Sequence, residues 1–349
     1  MTKTNSGNFF EDFRLGQEIR HATPRTVTQG DVALYTGLFG ARFPVPNSDP
    51  FARSIGYPRA PVDDLLVFHI VFGKSVPDVS LNAVANLGYA EGRFLAPVLS
   101  GDTLTASSTV IGLKENSSRE TGVVYVRTTG RNQHREPVLD YVRWVMVNKR
   151  DKAAKIAEER VPETVPVVAV DALRLPRELD CRLYDDALAG SPHRWGAYAK
   201  GDRIDHVDGV TIEEAEHMIA TRLYHNTARV HFNAHAAKSS RFGKRLIYGG
   251  HVISTARALS FNGLGNAFRV LAINAGRHVN PLFAGDTIYA WSEVLDTAPM
   301  PAHGDIGALR IRTVATKDRP CADFPDKGAD GKSDPAVLLD LDYWVAMPR

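Results

Sequence analysis

Residues 223–235, LYHNTARVHFNAH, place three histidines and two asparagines within thirteen residues. Histidine is the side chain whose ordinary pKa lies nearest neutral pH, so this segment could transfer protons or bind a metal ion. His231 and His235 are four residues apart and would share one face of a helix. The glutamate of an H-E-x-x-H zinc motif is absent and no third ligand lies nearby, so we expect no metal site. Taken alone, the segment is most simply interpreted as structural.

The composition excludes several classes of protein. A chain of 349 residues with 44% hydrophobic and 23% charged residues is typical of a globular protein, and its length suggests two domains of about 150 residues each. A net charge of +2 gives no broad basic surface, so we expect no nucleic-acid partner. No apolar run approaches the ~18 residues that span a bilayer, so we expect no membrane insertion.

The cysteines and the N-terminus suggest where the protein works. Cys181 and Cys321 are the only cysteines, which argues against a disulfide scaffold and against a four-thiolate metal site. The first residues, MTKTNSGNFFEDF, are polar and acidic and carry no apolar core of a signal peptide. We therefore expect a cytoplasmic protein.

An internal repeat reveals how the chain is organised. RFLAPVLSGDTLTASSTV, which begins at Arg93, corresponds without a gap to RHVNPLFAGDTIYAWSEV, which begins at Arg277, at an offset of 184 residues. VLDYVRWVMV at residues 138–147 resembles LLDLDYWVAM at residues 338–347 at an offset of 200, and the added residues lie in the loop-like CADFPDKGADGKSDP. The chain therefore consists of two similar units, 1–150 and 191–349, which the connector 151–190 joins.

Each unit combines one buried helix with several strands. DLLVFHIVFGKSV and HVISTARALSFNGL are apolar or small on nearly all sides, and such a helix must be buried on nearly all sides. The segments that follow are rich in β-branched and aromatic residues between turn signals, which indicates antiparallel strands. An antiparallel sheet curled around one helix satisfies both patterns. The predicted fold class is therefore α+β, formed twice.

The segment HFNAHAAKSSRFGKRLIYGGHVIS resembles the core of the MaoC-like, or R-specific, enoyl-CoA hydratases. The resemblance covers essentially the whole chain and implies a double hotdog fold, in which a long central helix is wrapped by an antiparallel sheet in each unit. Within this family the pattern is most similar to the mesaconyl-CoA (2-methylfumaryl-CoA) hydratases. It implies a hydro-lyase that reversibly hydrates mesaconyl-CoA to β-methylmalyl-CoA without metal or redox cofactor, coenzyme A being part of the substrate.

The resemblance also assigns residues to the catalytic site. It places the catalytic histidine on His231 and the oxyanion-binding glycine on Gly249. Where the family has its aspartate, this chain has Asn226. Tyr248 stands where the family usually has histidine, and we expect it to bind substrate or pack at the pocket rim. The first unit lacks the motif and has Asp64 in place of the glycine, so we expect it to be catalytically degenerate.

The positions of several charged side chains suggest roles in binding the substrate. Arg229, in the active loop, is the predicted partner of a substrate carboxylate, with Arg222 a turn earlier; a solvated surface arginine is the alternative. A basic run is predicted to contact coenzyme A, although such runs are often only solvated. It comprises Arg241, Lys244 and Arg245, next to Lys238. Carboxylates of the first unit could assist His231, namely Asp49, Asp63 and Asp64.

Three other functions are compatible with these patterns. The chain could hydrate a different enoyl-CoA, such as crotonyl-CoA, or hydrolyse a thioester on the same fold. It could also bind acyl-CoA without catalysis, because one unit has lost the motif. A homodimer is a further expectation, although one chain already contains both hotdog units.

Overall fold

The computed structural model describes residues 3–300, 302–328 and 330–349. Its centre is one eleven-stranded sheet, in which ten strands follow the order β1-β3-β4-β5-β2-β8-β11-β10-β9-β6 and the short β7 pairs with β9. Every pairing between these strands is antiparallel. The first five strands in this order belong to the first half of the chain and the others to the second half.

The first half folds as strand, helices and then four strands. Its strands are β1 (Glu18–Thr26), β2 (Ala83–Phe94), β3 (Thr103–Glu115), β4 (Thr121–Arg131) and β5 (Pro137–Asn148). Its helices are α1 (Gln29–Phe39), α2 (Pro44–Asn47), α3 (Asp49–Ser54) and α4 (Asp64–Ser75). A π-helical turn, Val76–Ser80, extends α4. Thr28 and Asp31 form a capping box that fixes the start of α1.

The second half repeats this order. Its strands are β6 (Arg203–Asp205), β7 (Val210–Thr211), β8 (Arg269–His278), β9 (Thr287–Pro299), β10 (Ile306–Lys317) and β11 (Val337–Pro348). Its helices are α6 (Glu214–Leu223), α7 (Arg229–Phe232), α8 (Ala234–Ala237), α9 (Gly249–Leu259) and α10 (Phe261–Leu264), and α5 (Asp186–Ala189) precedes them. The strands β8, β9, β10 and β11 thus correspond to β2, β3, β4 and β5, as the sequence repeat predicts.

The two halves join symmetrically along β2 and β8. Tyr89 pairs with Gly276, and Gly92 pairs with Ile273. At the repeat offset of 184 residues, Ile273 is the counterpart of Tyr89 and Gly276 is the counterpart of Gly92, so each pair maps onto the other. This register gives the sheet a pseudo-twofold axis between β2 and β8.

The two central helices are enclosed as predicted. All residues of α4 from Leu65 to Ser75 are buried, and α9 is buried from Gly250 to Leu259 except for the half-buried Ala258. Despite this apolar character, the described part of the chain contains no helix that is long and apolar enough to cross a membrane.

The segment between the halves carries only short helical turns but is anchored to the second half. The indole N–H of Trp344 donates to the Val168 carbonyl (3.1 Å), and Val168 N–H donates to Asn274 Oδ1 (2.8 Å). Leu179, Cys181 and neighbouring apolar residues complete a buried cluster with β8 and β11. The boundaries 151–190 remain a prediction, since hydrogen bonds and apolar contacts do not define a domain limit.

Candidate active site

The loop between α6 and α9 places His231 close to the start of α9. Leu246 N–H donates to the Val230 carbonyl (3.0 Å), and Ile247 N–H donates to the Leu282 carbonyl (3.0 Å), so the end of the loop is fixed on both sides. The His231 ring lies 5.5 Å from the Tyr248 ring, centroid to centroid. The predicted catalytic histidine therefore lies beside Tyr248, the residue immediately before α9.

The hydrogen bonds of His231 define which nitrogen can act as a base. Its Nδ1 lies 2.8 Å from the Leu246 carbonyl oxygen, which can only accept, so Nδ1 carries the proton. Desolvation of the ring lowers the pKa of His231 to about 4, although the Leu246 carbonyl acts in the opposite direction. At neutral pH the imidazole is uncharged and the Nε2 lone pair is available.

Asn226 is held at a sharp turn earlier in the same loop. His225 adopts a left-handed φ of 55°, and the Asn226 side-chain oxygen accepts from Ala228 N–H (3.1 Å). The Asn226 side chain is buried, and within the described residues its Nδ2 has no acceptor. A buried amide donor without a partner can hold a water or a substrate oxygen.

The loop rests on the central helix of the other half. A Cβ at Gly73 would lie 1.8 Å from the Tyr224 carbonyl oxygen and 3.3 Å from the Asn226 nitrogen. Only glycine allows this approach, which fixes the Asn226 turn against α4. The second half supplies the loop and the first half supplies its support.

Two glycines open α9 and let other side chains approach its N-terminus closely. A Cβ at Gly249 would lie 2.4 Å from two atoms of the His278 ring, and one at Gly250 would lie 2.5 Å from His69 and 2.3 Å from Tyr248. No side chain caps the helix. His251 N–H donates to the Tyr248 carbonyl (2.8 Å), whereas the N–H groups of Gly249 and Gly250 have no acceptor within the helix and lie at its positive dipole end. Such an end can stabilise an oxyanion.

Further histidines surround this position, and the local motif does not reveal them. Tyr248 N–H donates to His217 Nε2 (2.9 Å), and the His217 ring lies 5.9 Å from that of His231 and 5.6 Å from that of His251. Burial lowers the pKa of His217 well below its ordinary value and that of His251 to about 4. Both rings are therefore neutral at pH 7 and serve as hydrogen-bonding groups.

His278 is a further group at the site. Its Nε2 lies 3.3 Å from the Tyr89 hydroxyl, and its ring packs against Gly249. Burial, with a smaller contribution from His231, lowers the pKa of His278 to about 4. The repeat could have revealed this residue, because Phe94 occupies the corresponding position of the first half. An imidazole thus lies at the α9 N-terminus where the degenerate half has an apolar ring.

The first half also reaches the site through His69 on α4. His69 Nε2 lies 2.8 Å from Ser254 Oγ, which also lies 2.8 Å from the Tyr35 hydroxyl. His69 Nδ1 lies 3.4 Å from the Tyr248 hydroxyl. The first half is therefore part of the site even though it lacks the catalytic motif. An isolated histidine in an otherwise apolar helix was the available sequence signal.

The residues predicted to bind substrate differ from one another in burial and in their contacts. Tyr248 is buried among aromatic rings rather than at a pocket rim, and burial raises the pKa of its hydroxyl. Arg229 and Arg222 are both exposed. The residues predicted to contact coenzyme A have partners within the chain: Arg241 lies over the Phe242 ring (5.4 Å), Lys244 lies over Phe283 (4.1 Å), and Arg245 pairs with Glu214 (2.5 Å).

The alternative carboxylates lie elsewhere. Asp63 and Asp64 form the start of α4, where they line a small cavity of about 20 Å³ with Arg257 and Arg269. Asp64 Oδ2 accepts from Val270 N–H (3.0 Å). Asp49 accepts from Ala60 N–H (2.9 Å) and pairs with Arg53. No hydrogen bond or ion pair among the described residues joins these three carboxylates to His231.

The described side chains form no metal site. In the ranges that the structure covers, no three histidine, cysteine, aspartate or glutamate side chains are arranged to hold a metal ion. His235, the possible partner of His231, is exposed on α8.

Comparison with known proteins agrees with this architecture. A solved structure from Chloroflexus aurantiacus, described as a MaoC domain protein dehydratase, superposes with a TM-score of 0.98 at 63% identity and covers 100% of this chain and 99% of that one. A Mycobacterium tuberculosis protein described as a double hotdog superposes with a TM-score of 0.75 at 24% identity over 99% of both chains. The latter supports the fold alone. The fold and the site together define a double-hotdog dehydratase of the MaoC-like class.

Sequence comparison identifies the family within that class. The mesaconyl-CoA hydratase family matches residues 1–323. The β-methylmalyl-CoA dehydratase of Chloroflexus aurantiacus is 64% identical over 99% of both chains, and the mesaconyl-CoA hydratase of Cereibacter sphaeroides is 61% identical over 99% of this chain and all of its own. This chain belongs to the mesaconyl-CoA hydratase family. The predicted family, double hotdog fold and hydro-lyase class are thereby confirmed.

Proposed function

We propose that this chain catalyses the reversible addition of water to mesaconyl-CoA, forming β-methylmalyl-CoA. The observation that carries the proposal is the state of His231: Leu246 holds its Nδ1 proton, and Nε2, beside the N-terminus of α9, has no partner among the described residues. The names of the two similar relatives describe the two directions of one equilibrium. A hydro-lyase must catalyse both directions, so the two names are compatible with one activity.

His231 acts as the base in the proposed reaction. Its neutral Nε2 takes a proton from water as the oxygen bonds to the β-carbon, and the fixed Nδ1–H keeps the ring in that tautomer. Asn226 cannot exchange a proton, but its unpartnered amide can hold the attacking water. The imidazolium formed on His231 then returns a proton to the α-carbon on the same face.

The N-terminus of α9 stabilises the charge that develops on the thioester oxygen. Addition at the β-carbon moves electron density onto this oxygen as an enolate. The first-turn N–H groups at Gly249 and Gly250 are fixed before the reaction begins, and each well-placed donor is worth roughly 10² to 10³ in rate. The proposed steps use only main-chain and side-chain groups of this chain, and coenzyme A enters as part of the substrate.

Three further expectations belong to the proposal, and they concern the contacts to coenzyme A, the cellular location and the assembly of the chain. The substrate is an acyl-CoA, and the exposed Arg241 and Lys244 are proposed to contact its phosphates, whereas Arg245 must first give up Glu214. We place the protein in the cytoplasm because Cys181 and Cys321 are both unpaired, as is usual in a reducing compartment. Homodimerisation would join two chains that each already contain a complete site.

A spectrophotometric assay with purified protein tests the reaction. Mesaconyl-CoA should lose its enoyl-thioester absorbance, and His231→Ala should reduce kcat/KM by about 10² to 10⁴ because the base is removed. His235→Ala is the matched control, since this exposed histidine lies in the same loop and should retain activity. Unchanged absorbance with wild-type protein, or full activity in His231→Ala, would exclude the proposal.

The same assay separates the alternatives. Release of a free thiol at the rate of absorbance loss would indicate thioester hydrolysis. Faster turnover of crotonyl-CoA than of mesaconyl-CoA would indicate a different enoyl-CoA. Tight binding of mesaconyl-CoA by calorimetry without turnover would indicate an acyl-CoA-binding protein.

A further inference from the structure

Arg143 is a charged side chain in the interior of the first half. It lies on β5 and is fully buried, with its guanidinium carbon 4.3 Å above the centre of the Phe72 ring. Strand alternation places it on the same face as Tyr141 and Val145, which are both buried. The sequence signal is therefore an arginine on the apolar face of a strand.

Among the residues that the structure describes, only neutral groups form hydrogen bonds with this guanidinium. Arg143 donates to Ser75 Oγ (2.8 Å), to Ser80 Oγ (3.4 Å) and to Asn86 Oδ1 (3.5 Å). Within the described residues no carboxylate lies within 4 Å of it. The adjacent Asp140 instead pairs with Arg93 and Arg127. A buried positive charge without a counter-ion is costly, which points to a partner that binds from outside the chain.

Several hydrogen-bond donors around Arg143 are also unused. The Arg143 Nε, the Asn86 Nδ2 and the Tyr141 hydroxyl are buried and have no acceptor among the described residues. Each of these atoms carries a hydrogen that it can donate. A group of buried donors around a guanidinium is complementary to a carboxylate, which accepts several hydrogen bonds.

Buried arginines also lie near the N-terminus of the other central helix, α4, and there the chain itself supplies carboxylates beside them. Phe72 is the ninth residue of α4, and Arg257 is the ninth residue of α9. Arg257 lines the cavity at the α4 N-terminus together with Asp63 and Asp64, and Arg269 lies 3.7 Å from Asp64. The chain therefore supplies carboxylates beside the buried arginines at the α4 N-terminus. At the α9 N-terminus the corresponding residues are Tyr248 and Gly249, so these two positions supply no carboxylate.

A short series of ring contacts connects Arg143 to the catalytic histidine. The Phe72 ring beneath the guanidinium lies 5.4 Å from the Tyr248 ring, which lies 5.5 Å from His231. In 2-methylfumaryl-CoA the free carboxylate is attached to the β-carbon, where water adds. Water, β-carbon and carboxylate, with a hydrogen bond of about 2.8 Å at each end, span roughly 10 Å. Binding of this carboxylate by Arg143 therefore requires the imidazole and the guanidinium to lie no farther apart than this when substrate is bound.

We propose that Arg143, with Asn86 and Tyr141, binds the free carboxylate of the acyl group and thereby selects a dicarboxylic half-thioester over a plain enoyl-CoA. The inference rests on the proposed function, since it specifies the substrate class of the same site. The first half, which lacks the catalytic motif, then determines specificity. Exposed Arg229, the arginine predicted from sequence, is the natural comparison.

The test compares two unreactive ligands that differ only in the carboxylate. Isothermal titration would measure the Kd of 2-methylsuccinyl-CoA, with the thioester next to the methyl-bearing carbon, and of 2-methylbutanoyl-CoA of the same configuration. Wild-type protein should prefer the carboxylated ligand by roughly 10²-fold, as for a buried charge pair. Arg143→Met should abolish this preference, whereas Arg229→Met should retain it. Preference lost in Arg229→Met and retained in Arg143→Met would overturn the proposal.

A second variant tests the proposal if Arg143→Met does not fold. Arg143→Lys keeps the charge but loses the bidentate geometry, so its preference should fall at least about tenfold. An unchanged preference in Arg143→Lys, or no preference in wild-type protein, would overturn the proposal even if mesaconyl-CoA is hydrated. Conversely, an Arg143-dependent preference without turnover of mesaconyl-CoA would support the carboxylate site and refute the proposed reaction.

Discussion

His231 combines two properties that a general base needs, a fixed tautomer and a neutral ring. The Leu246 carbonyl provides the first, and desolvation provides the second by lowering the pKa of the imidazole to about 4. A catalytic histidine of ordinary pKa, about 6.5, would already be mostly protonated at pH 6. The environment of His231 therefore extends the active form to lower pH.

This shift predicts the acidic side of the pH–rate profile. With a pKa of about 4, His231 stays deprotonated at pH 6, so kcat/KM for mesaconyl-CoA should be nearly constant between pH 7.5 and pH 6. An unshifted histidine would leave only about a quarter of the enzyme active at pH 6. Initial rates across this range, with tryptophan fluorescence to verify folding, would check the prediction. A fourfold fall would contradict it.

Gly249 permits a second prediction about a single position. A Cβ there would lie 2.4 Å from the His278 ring, so Gly249→Ala must displace either the ring or the start of α9. Either movement misplaces the oxyanion donors, and kcat/KM should fall by roughly 10² to 10³. Gly37→Ala on α1 is the matched control because open space surrounds Gly37. Comparable activity of the two variants would show that Gly249 has no special role.

Among the secondary-structure elements, the contact between α4 and α9 couples the two halves. His69 is the sixth residue of α4 and Ser254 is the sixth residue of α9, so they meet at equivalent positions of the repeat. The Ser254 hydroxyl also bonds Tyr35, and His69 faces Tyr248. The central helix of the degenerate half thereby orients the residue that precedes Gly249.

Removal of this hydroxyl should destabilise the whole protein. Ser254→Ala leaves the Tyr35 hydroxyl and His69 Nε2 without a shared partner in a buried site, and each such loss costs about 1 to 3 kcal/mol. Denaturant unfolding should show a loss of that order in the free energy of unfolding. Ser117→Ala, in an exposed turn, is the control and should change it by less than about 0.5 kcal/mol. Equal stability of both variants would contradict the coupling.

On the scale of the complete chain, the sequence predicts the strands that belong to the internal repeat and the site residues that lie within one short motif. The offset of 184 residues predicts the corresponding strands, and the short motif predicts His231 and Gly249, because each depends on neighbours in the chain. Arg143 and His278 could not be assigned in this way, since tertiary contacts between distant elements give them their surroundings. In retrospect their signals are also positional: Arg143 breaks an apolar strand face, and His278 differs from Phe94 in the repeat.

The interior of the molecule contains several histidines that are uncharged when it is folded. His69, His206, His217 and His251 are each at least 98% buried. Burial lowers the pKa of His206 and His251 to about 4 and that of His69 to about 3. In the unfolded chain these residues return to about 6.5, so below that pH the unfolded state binds more protons. Their effect on stability is therefore absent above pH 6.5 and unfavourable below it.

The protein should lose stability steeply as pH falls from 6.5 toward 4. Each buried histidine costs about 1.4 kcal/mol per pH unit in this window, so four together cost up to about 5 kcal/mol per unit. Because domains are stable by only about 5 to 15 kcal/mol, unfolding should begin near pH 5.

Chemical denaturation at pH 7, 6 and 5.5 would measure the slope of the free energy of unfolding against pH. His206→Gln should reduce it by nearly one proton because it removes one of these groups, whereas His134→Gln at an exposed turn should leave it unchanged. A free energy of unfolding that does not vary with pH between 7 and 5.5 would show that these histidines bind protons equally in both states.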